Sequence, residues 1–120
     1  MTPAEIAAYN ARWLKAWSDK DVDRLCGFYA ADCLYKDPQT TGGLEGREAL
    51  RAYLTQLFAA TPAMVYEPDA VWPIEGGFCG RWFCTIGEGG AGGRLRGFDL
   101  VVLEGEEIIL NEVYVHPLDP

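Results

Sequence analysis

Apolar positions recur every three or four residues at the start of the chain. Ile6, Tyr9, Trp13, Ala16 and Trp17 fall on one face of a helix. Thr2 is placed to cap it, Pro3 suits its first turn, and Glu5 completes a capping box. Ser18-Asp19-Lys20-Asp21 breaks the pattern. Asp21 then caps a second, short helix that carries Val22, Leu25, Cys26 and Tyr29 on one face and is expected to end near Asp32. Cys33 to Lys36 reads as a short strand, closed by Asp37-Pro38, because a residue before proline favours extended backbone. Gln39 to Gly46 reads as a loop. Leu50, Tyr53, Leu54, Leu57 and Phe58 follow at i, i+3, i+4, i+7 and i+8, the stripe of an amphipathic helix. Ala59-Ala60-Thr61-Pro62 ends it.

From Met64 the period changes from helical to alternating. Strands are expected over Met64 to Trp72, Phe78 to Ile86, Arg94 to Leu103 and Ile108 to Val115. Pro68 marks an edge or a bulge in the first of these. Gly87 to Gly93 is a glycine-rich hairpin turn, and Glu104-Gly105-Glu106 a tight one. Helices first and a meander of long strands afterwards indicate an α+β fold, in a single domain spanning 1–120. No internal repeat or linker interrupts it.

Composition narrows the function. The 120 residues carry 10 basic and 18 acidic side chains, a net charge of −8. That excludes the basic face a nucleic acid needs and disfavours anionic membrane surfaces. No apolar run approaches the ~20 residues of a membrane span, and the chain does not open on a secretory signal, so a cytoplasmic protein is expected. Cys26, Cys33, Cys79 and Cys84 form no CxxC pair and have apolar neighbours. They read as reduced, buried thiols, with no metal site and no cofactor.

Candidate chemistry lies in two carboxylates. On the strand over Arg94–Leu103, alternation puts Leu95, Gly97, Asp99, Val101 and Leu103 on one face, and Asp99 is the polar member. A carboxylate there must be paired, protonated or lining a cavity, since burying it charged is costly; a register that leaves this face wet is the alternative. Phe78, Gly80, Trp82, Cys84 and Ile86 share a face of the preceding strand, and Gly80 leaves space on it. Asp37, at a strand end before a loop, is either a general base or simply the head of an Asp-Pro turn. Trp13, Tyr29, Tyr53, Trp82 and Asn111 are expected to line a cavity with Asp99, or else to be plain core. His116, beside Pro117, reads as structural or exposed. Glu112, Tyr114 and His116 share the outer face of the last strand, a solvated or dimer surface. There is no Ser-His-Asp set, P-loop or dinucleotide fingerprint.

A resemblance goes further. Arg12-Trp13-Leu14-Lys15-Ala16-Trp17, Lys20-Asp21-Val22-Asp23 and Phe28-Tyr29-Ala30-Ala31-Asp32 resemble the first two helices of SnoaL-like proteins. Tyr35-Lys36-Asp37-Pro38, Gly46-Arg47-Glu48-Ala49-Leu50, Arg96-Gly97-Phe98-Asp99 and Asn111-Glu112-Val113-Tyr114 extend it over nearly the whole chain. These proteins belong to the nuclear transport factor 2-like superfamily, with ketosteroid isomerases and polyketide cyclases. The resemblance implies a cone: a curved mixed or antiparallel sheet wrapped around a long N-terminal helix, with a deep apolar pocket and homodimers common. It places the isomerase general base on Asp37 and the protonated oxyanion-hole aspartate on Asp99. The isomerase's catalytic tyrosine falls on Trp13, and the tyrosine supporting it on Leu54. A limonene epoxide hydrolase would need an arginine two residues before the aspartate; Arg96 precedes Asp99 by three and lies on the opposite face. The expected function is therefore acid–base chemistry on an enolisable carbonyl, with Asp99 neutral and Asp37 ionised, or ligand binding without catalysis, on a small apolar or aromatic molecule.

Overall fold

A computed structural model describes residues 1–118. Helix α1 (Pro3–Ser18) opens on the expected box: Glu5 N donates to Thr2 Oγ1 at 3.1 Å, and Thr2 N donates to Glu5 Oε1 at 2.8 Å. Its buried face holds Ile6, Tyr9, Trp13, Leu14, Ala16 and Trp17. Helix α2 (Val22–Cys26) is followed by β1 (Tyr29–Lys36), β2 (Leu44–Glu45) and α3 (Arg47–Ala60). The long strands come next: β3 (Met64–Ile74), β4 (Gly77–Ile86), β5 (Gly93–Glu104) and β6 (Glu107–Pro117).

The six strands form one sheet in the order β2-β1-β6-β5-β4-β3. Every neighbour pair is antiparallel except β1 with β6, which is parallel, so the sheet is mixed. Helix α1 crosses the inner face beside β3. The core between helices and sheet gathers Trp13, Tyr29, Tyr35, Phe78, Leu50 and Leu54, all with almost no exposed surface. This is the α+β class that the helix-then-meander order predicts, in the cone form that the resemblance implies.

Lys20 joins two helices. It follows α1 at φ 53°, the one non-glycine residue with positive φ among the described residues. That turn aims its ammonium at the C-terminal end of α3. Nζ donates to Phe58 O at 3.0 Å, Thr61 O at 2.6 Å and Thr61 Oγ1 at 2.8 Å. Helix α3 has no basic residue in its last turn, so Lys20 supplies the cation that its exposed carbonyls favour.

Four expectations change. Helix α2 stops at Cys26 rather than near Asp32, and β1 begins at Tyr29 rather than Cys33. Tyr29 has the right period for the helix, but Phe28 O accepts from Ile108 N at 2.8 Å, and Tyr29 pairs with Ile108. Bonds from a distant strand outweigh a weak local preference. The loop after Pro38 contains the two-residue strand β2, which pairs with Leu34 and Tyr35. Cys79 is half-buried rather than buried, since it sits on the outer side of β4; the four cysteines are free thiols, and burial pushes Cys84 up to about 11. Pro68 does mark a bulge: the β3–β4 register shifts between Pro68 and Ala70, on an edge strand.

Candidate active site

Between the helices and the inner sheet face lies a cavity of about 300 Å³. Asp99 faces it from β5. Its neighbours across the strands are Gly80 and Val113. The space beside Gly80 is taken up by the Asn10 amide of α1: a Cβ at Gly80 would lie 3.4 Å from Asn10 Oδ1. Trp82 lies on the same face. Its indole N–H donates to Asp99 Oδ2 at 3.1 Å. This requires glycine at position 97, where a Cβ would sit 2.0 Å from Trp82 Cζ2.

Asp99 is 2% exposed, and its Oδ1 has no hydrogen-bond partner. No arginine reaches it. Arg81 pairs with Asp69 at 2.6 Å, Arg94 lies over the Phe83 ring at 4.9 Å, and Arg96 Nη2 stands 2.9 Å from His116 Nε2. Without a cation, burial disfavours the charged form. It pushes the Asp99 carboxyl up to about 8, against the Trp82 N–H and the nearby Asn111 amide, which pull it down. Burial therefore favours the neutral, protonated form of Asp99 near neutral pH.

Asp37 lies at the mouth of the same cavity and is half-buried. Four donors converge on it. Tyr35 and Tyr53 donate to Oδ2 at 2.9 and 2.6 Å. Gln39 N and Thr40 Oγ1 donate to Oδ1 at 2.8 and 3.0 Å. Asp37 heads the Asp-Pro turn, and donors of the turn itself hold its carboxylate. Burial and the Asp37 charge both push Tyr35 and Tyr53 well above the ordinary phenol range.

Of the residues expected in the wall, Trp13, Tyr53 and Trp82 line the cavity. Tyr29 and Asn111 do not: both are fully buried behind it. Trp13 Nε1 donates to Tyr29 Oη at 3.3 Å, Tyr29 donates to Asn111 Oδ1 at 2.9 Å, and Asn111 Nδ2 donates to Leu100 O at 3.3 Å. This chain spends the indole proton of Trp13 inside the core. His116 is exposed, as expected, and lies among the lining residues of the cavity.

Sequence reasoning passed over Trp17, Tyr35 and Tyr66, which complete the aromatic wall. Two of them carried a signal. Trp17 is one helical turn beyond Trp13, and Tyr35 is two residues before Asp37 and so shares its side of the strand. Tyr66 lies on the far edge strand and had none. Among the described residues no three His, Cys, Asp or Glu side chains gather as a metal site would need.

The sequence matches the SnoaL-like domain over residues 10–111. The chain belongs to the SnoaL-like family. The nuclear transport factor 2-like cone of these SnoaL-like proteins recurs among solved structures. A SnoaL-like protein of unknown function from Burkholderia thailandensis E264 superposes with a TM-score of 0.80 at 16% identity, over 97% of this chain and 98% of that one. A hypothetical protein with a ketosteroid isomerase-like fold from Catenulispora acidiphila DSM 44928, in complex with trimethylamine, gives 0.74 at 19% identity, over 95% and 86%. A nuclear transport factor 2-like protein of unknown function from Burkholderia xenovorans LB400 gives 0.76 at 16%, over 98% and 87%. At these identities the SnoaL-like fold is shared and the chemistry is not thereby given. No curated protein matches this SnoaL-like chain in sequence.

Proposed function

We propose that this SnoaL-like protein performs acid–base chemistry on a small carbonyl compound, of the ketosteroid isomerase or polyketide cyclase kind. The observation that carries the reading is Asp99: fully buried, without a cation, one oxygen unpartnered, and facing the same cavity as Asp37. A neutral Asp99 donates its O–H to the substrate carbonyl oxygen, and the bond strengthens as negative charge develops there. Asp37 takes the proton α to that carbonyl. Returning it to another carbon isomerises the substrate; attack of the enolate on a second carbonyl closes a ring, and the alkoxide so formed takes the proton back from Asp37.

Asp37 first needs a free lone pair. Tyr53 supplies one by turning, since its hydroxyl has a second acceptor in Gln39 Oε1 at 3.3 Å. Trp13 does not take the place of the isomerase tyrosine, because its N–H is held by Tyr29. The test is turnover of a β,γ-unsaturated ketone. Asp37→Asn should abolish it, and Asp99→Asn, which keeps a neutral donor, should lower it modestly. A folded wild-type protein that binds the ketone without turning it over refutes the reading.

That outcome would favour a ligand-binding module without catalysis. Its support is the full complement of four hydrogen bonds on Asp37, which suits a fixed anion better than a working base. Under either reading the protein is proposed to be a homodimer. Trp72, Phe98 and Tyr114 lie 43%, 40% and 62% exposed on the outer sheet face, and a second copy would cover them.

A further inference from the structure

The cavity is one-sided in its polarity. Among the described residues its lining has two carboxyl groups, Asp37 and Asp99, and no lysine or arginine. His116 at the rim offers no positive charge in the arrangement seen: a guanidinium can only donate, so Nε2 accepts from Arg96. At the Asp37 end, the groups that face inward are acceptors. Tyr35 and Tyr53 have one O–H each and spend it on Oδ2. What their oxygens have left is lone pairs. Gln39 N and Thr40 Oγ1 are spent on Oδ1 in the same way.

Aromatic rings make up much of the wall. Tyr53, Tyr35, Trp17, Tyr66 and Trp82 follow one another with ring centroids 6.0, 6.3, 6.0 and 5.0 Å apart. Aromatic faces are the negative side of the ring quadrupole. The second carboxyl, Asp99, lines the same cavity, is 2% exposed, and has no partner for Oδ1. An apolar ligand would need the rings but not a fixed carboxylate whose phenol partners have only lone pairs left to offer. An anionic ligand would meet the Asp37 carboxylate among its lining groups and no lysine or arginine.

We propose that the cavity selects an organic cation, a protonated or quaternary alkylamine, over neutral and anionic molecules of the same shape. The ammonium rests on the ring faces with Asp37 as its counter-charge. Where it carries N–H groups, they donate to the phenol oxygens of Tyr35 and Tyr53. The proposal rests on the cavity being the ligand site and is independent of the isomerase chemistry. Taken with that chemistry, it makes the substrate a ketone bearing an amine near its carbonyl, whose charge would stabilise the enolate.

The test is a titration of the wild-type protein, followed by calorimetry and tryptophan fluorescence, with three probes of one shape. These are choline, its uncharged isostere 3,3-dimethylbutan-1-ol, and 3,3-dimethylbutanoate. Choline should bind at least ten-fold more tightly than the alcohol, with the carboxylate weakest. Asp37→Asn should shrink the preference for choline over the alcohol several-fold. Equal or tighter binding of the alcohol overturns the proposal. So does failure of all three probes; if a β,γ-unsaturated ketone still binds, the ligand-site reading survives that failure, and if the ketone fails too, both fall.

Discussion

Asparagine at position 99 should make the protein more stable at neutral pH and less stable in acid. In the fold, burial holds the Asp99 carboxyl up to about 8, against an ordinary value of 3.8. The unfolded chain releases that proton near pH 4 and the folded chain keeps it to about pH 8. Between those limits the folded state binds one proton more, so stability falls as pH rises. Below about pH 4 both states are protonated and the group costs nothing; above about pH 8 the full cost stands. At pH 7 the gap is about 3 pH units, on the order of 4 kcal/mol at 1.36 kcal/mol per unit. Asparagine removes this cost, because it does not titrate. It also puts two N–H donors where the neutral carboxyl has one O–H, into a site with no acceptor opposite Oδ1, an added penalty of about 1–3 kcal/mol. The variant should therefore lose about 1–3 kcal/mol at pH 4 and gain about as much by pH 7–8. Urea denaturation of both proteins from pH 4 to 8.5, followed by tryptophan fluorescence, reads the difference directly. The other carboxylates cancel in that difference. Parallel stability curves for the two proteins would refute a protonated Asp99.

Gly97→Ala drives a Cβ into the Trp82 indole and breaks its bond to Asp99; a loss of about 2–3 kcal/mol and a red-shifted emission are expected, and a change under about 0.5 kcal/mol in urea melts would contradict the geometry. Lys20→Ala removes three hydrogen bonds from the end of α3 and should cost about 1–2 kcal/mol, read in the same melts, where an unchanged midpoint would show the cap to be idle. Light scattering should report twice the 13.2 kDa of one chain, and Tyr114→Arg should halve that mass; a wild-type monomer at micromolar concentration removes the dimer.

Much of the fold was legible because its causes are local. Thr2 and Glu5 are three residues apart and cap α1 as read; the Leu50–Phe58 stripe packs as α3; alternation alone placed Asp99 with Gly97 and Val101. Tyr29 was misread because its partner, Ile108, is supplied by a strand nearly eighty residues away. The site divides in the same way. Asp37 and Asp99 could be named from one strand each. The four hydrogen bonds on Asp37 could not, because Tyr53 comes to it from α3, 16 residues further on. Nor could the withdrawal of Tyr29 and Asn111 behind the wall, which depends on how deep α1 sits against the sheet.

The single parallel pairing has a consequence for the order of assembly. Strands β3 to β6 meet through hairpins and can zip up locally, whereas β1 joins the sheet only by closing a loop of roughly 75 residues onto β6. Asp99 belongs to the early meander, and Asp37 hangs from the end of the late strand. The two carboxyl groups therefore become neighbours of one cavity only when β1 docks. During refolding, amides of β4 and β5 should gain protection from exchange before Trp13 and Trp17 reach their native fluorescence. Simultaneous appearance of the two signals would mean that the cone closes in one step.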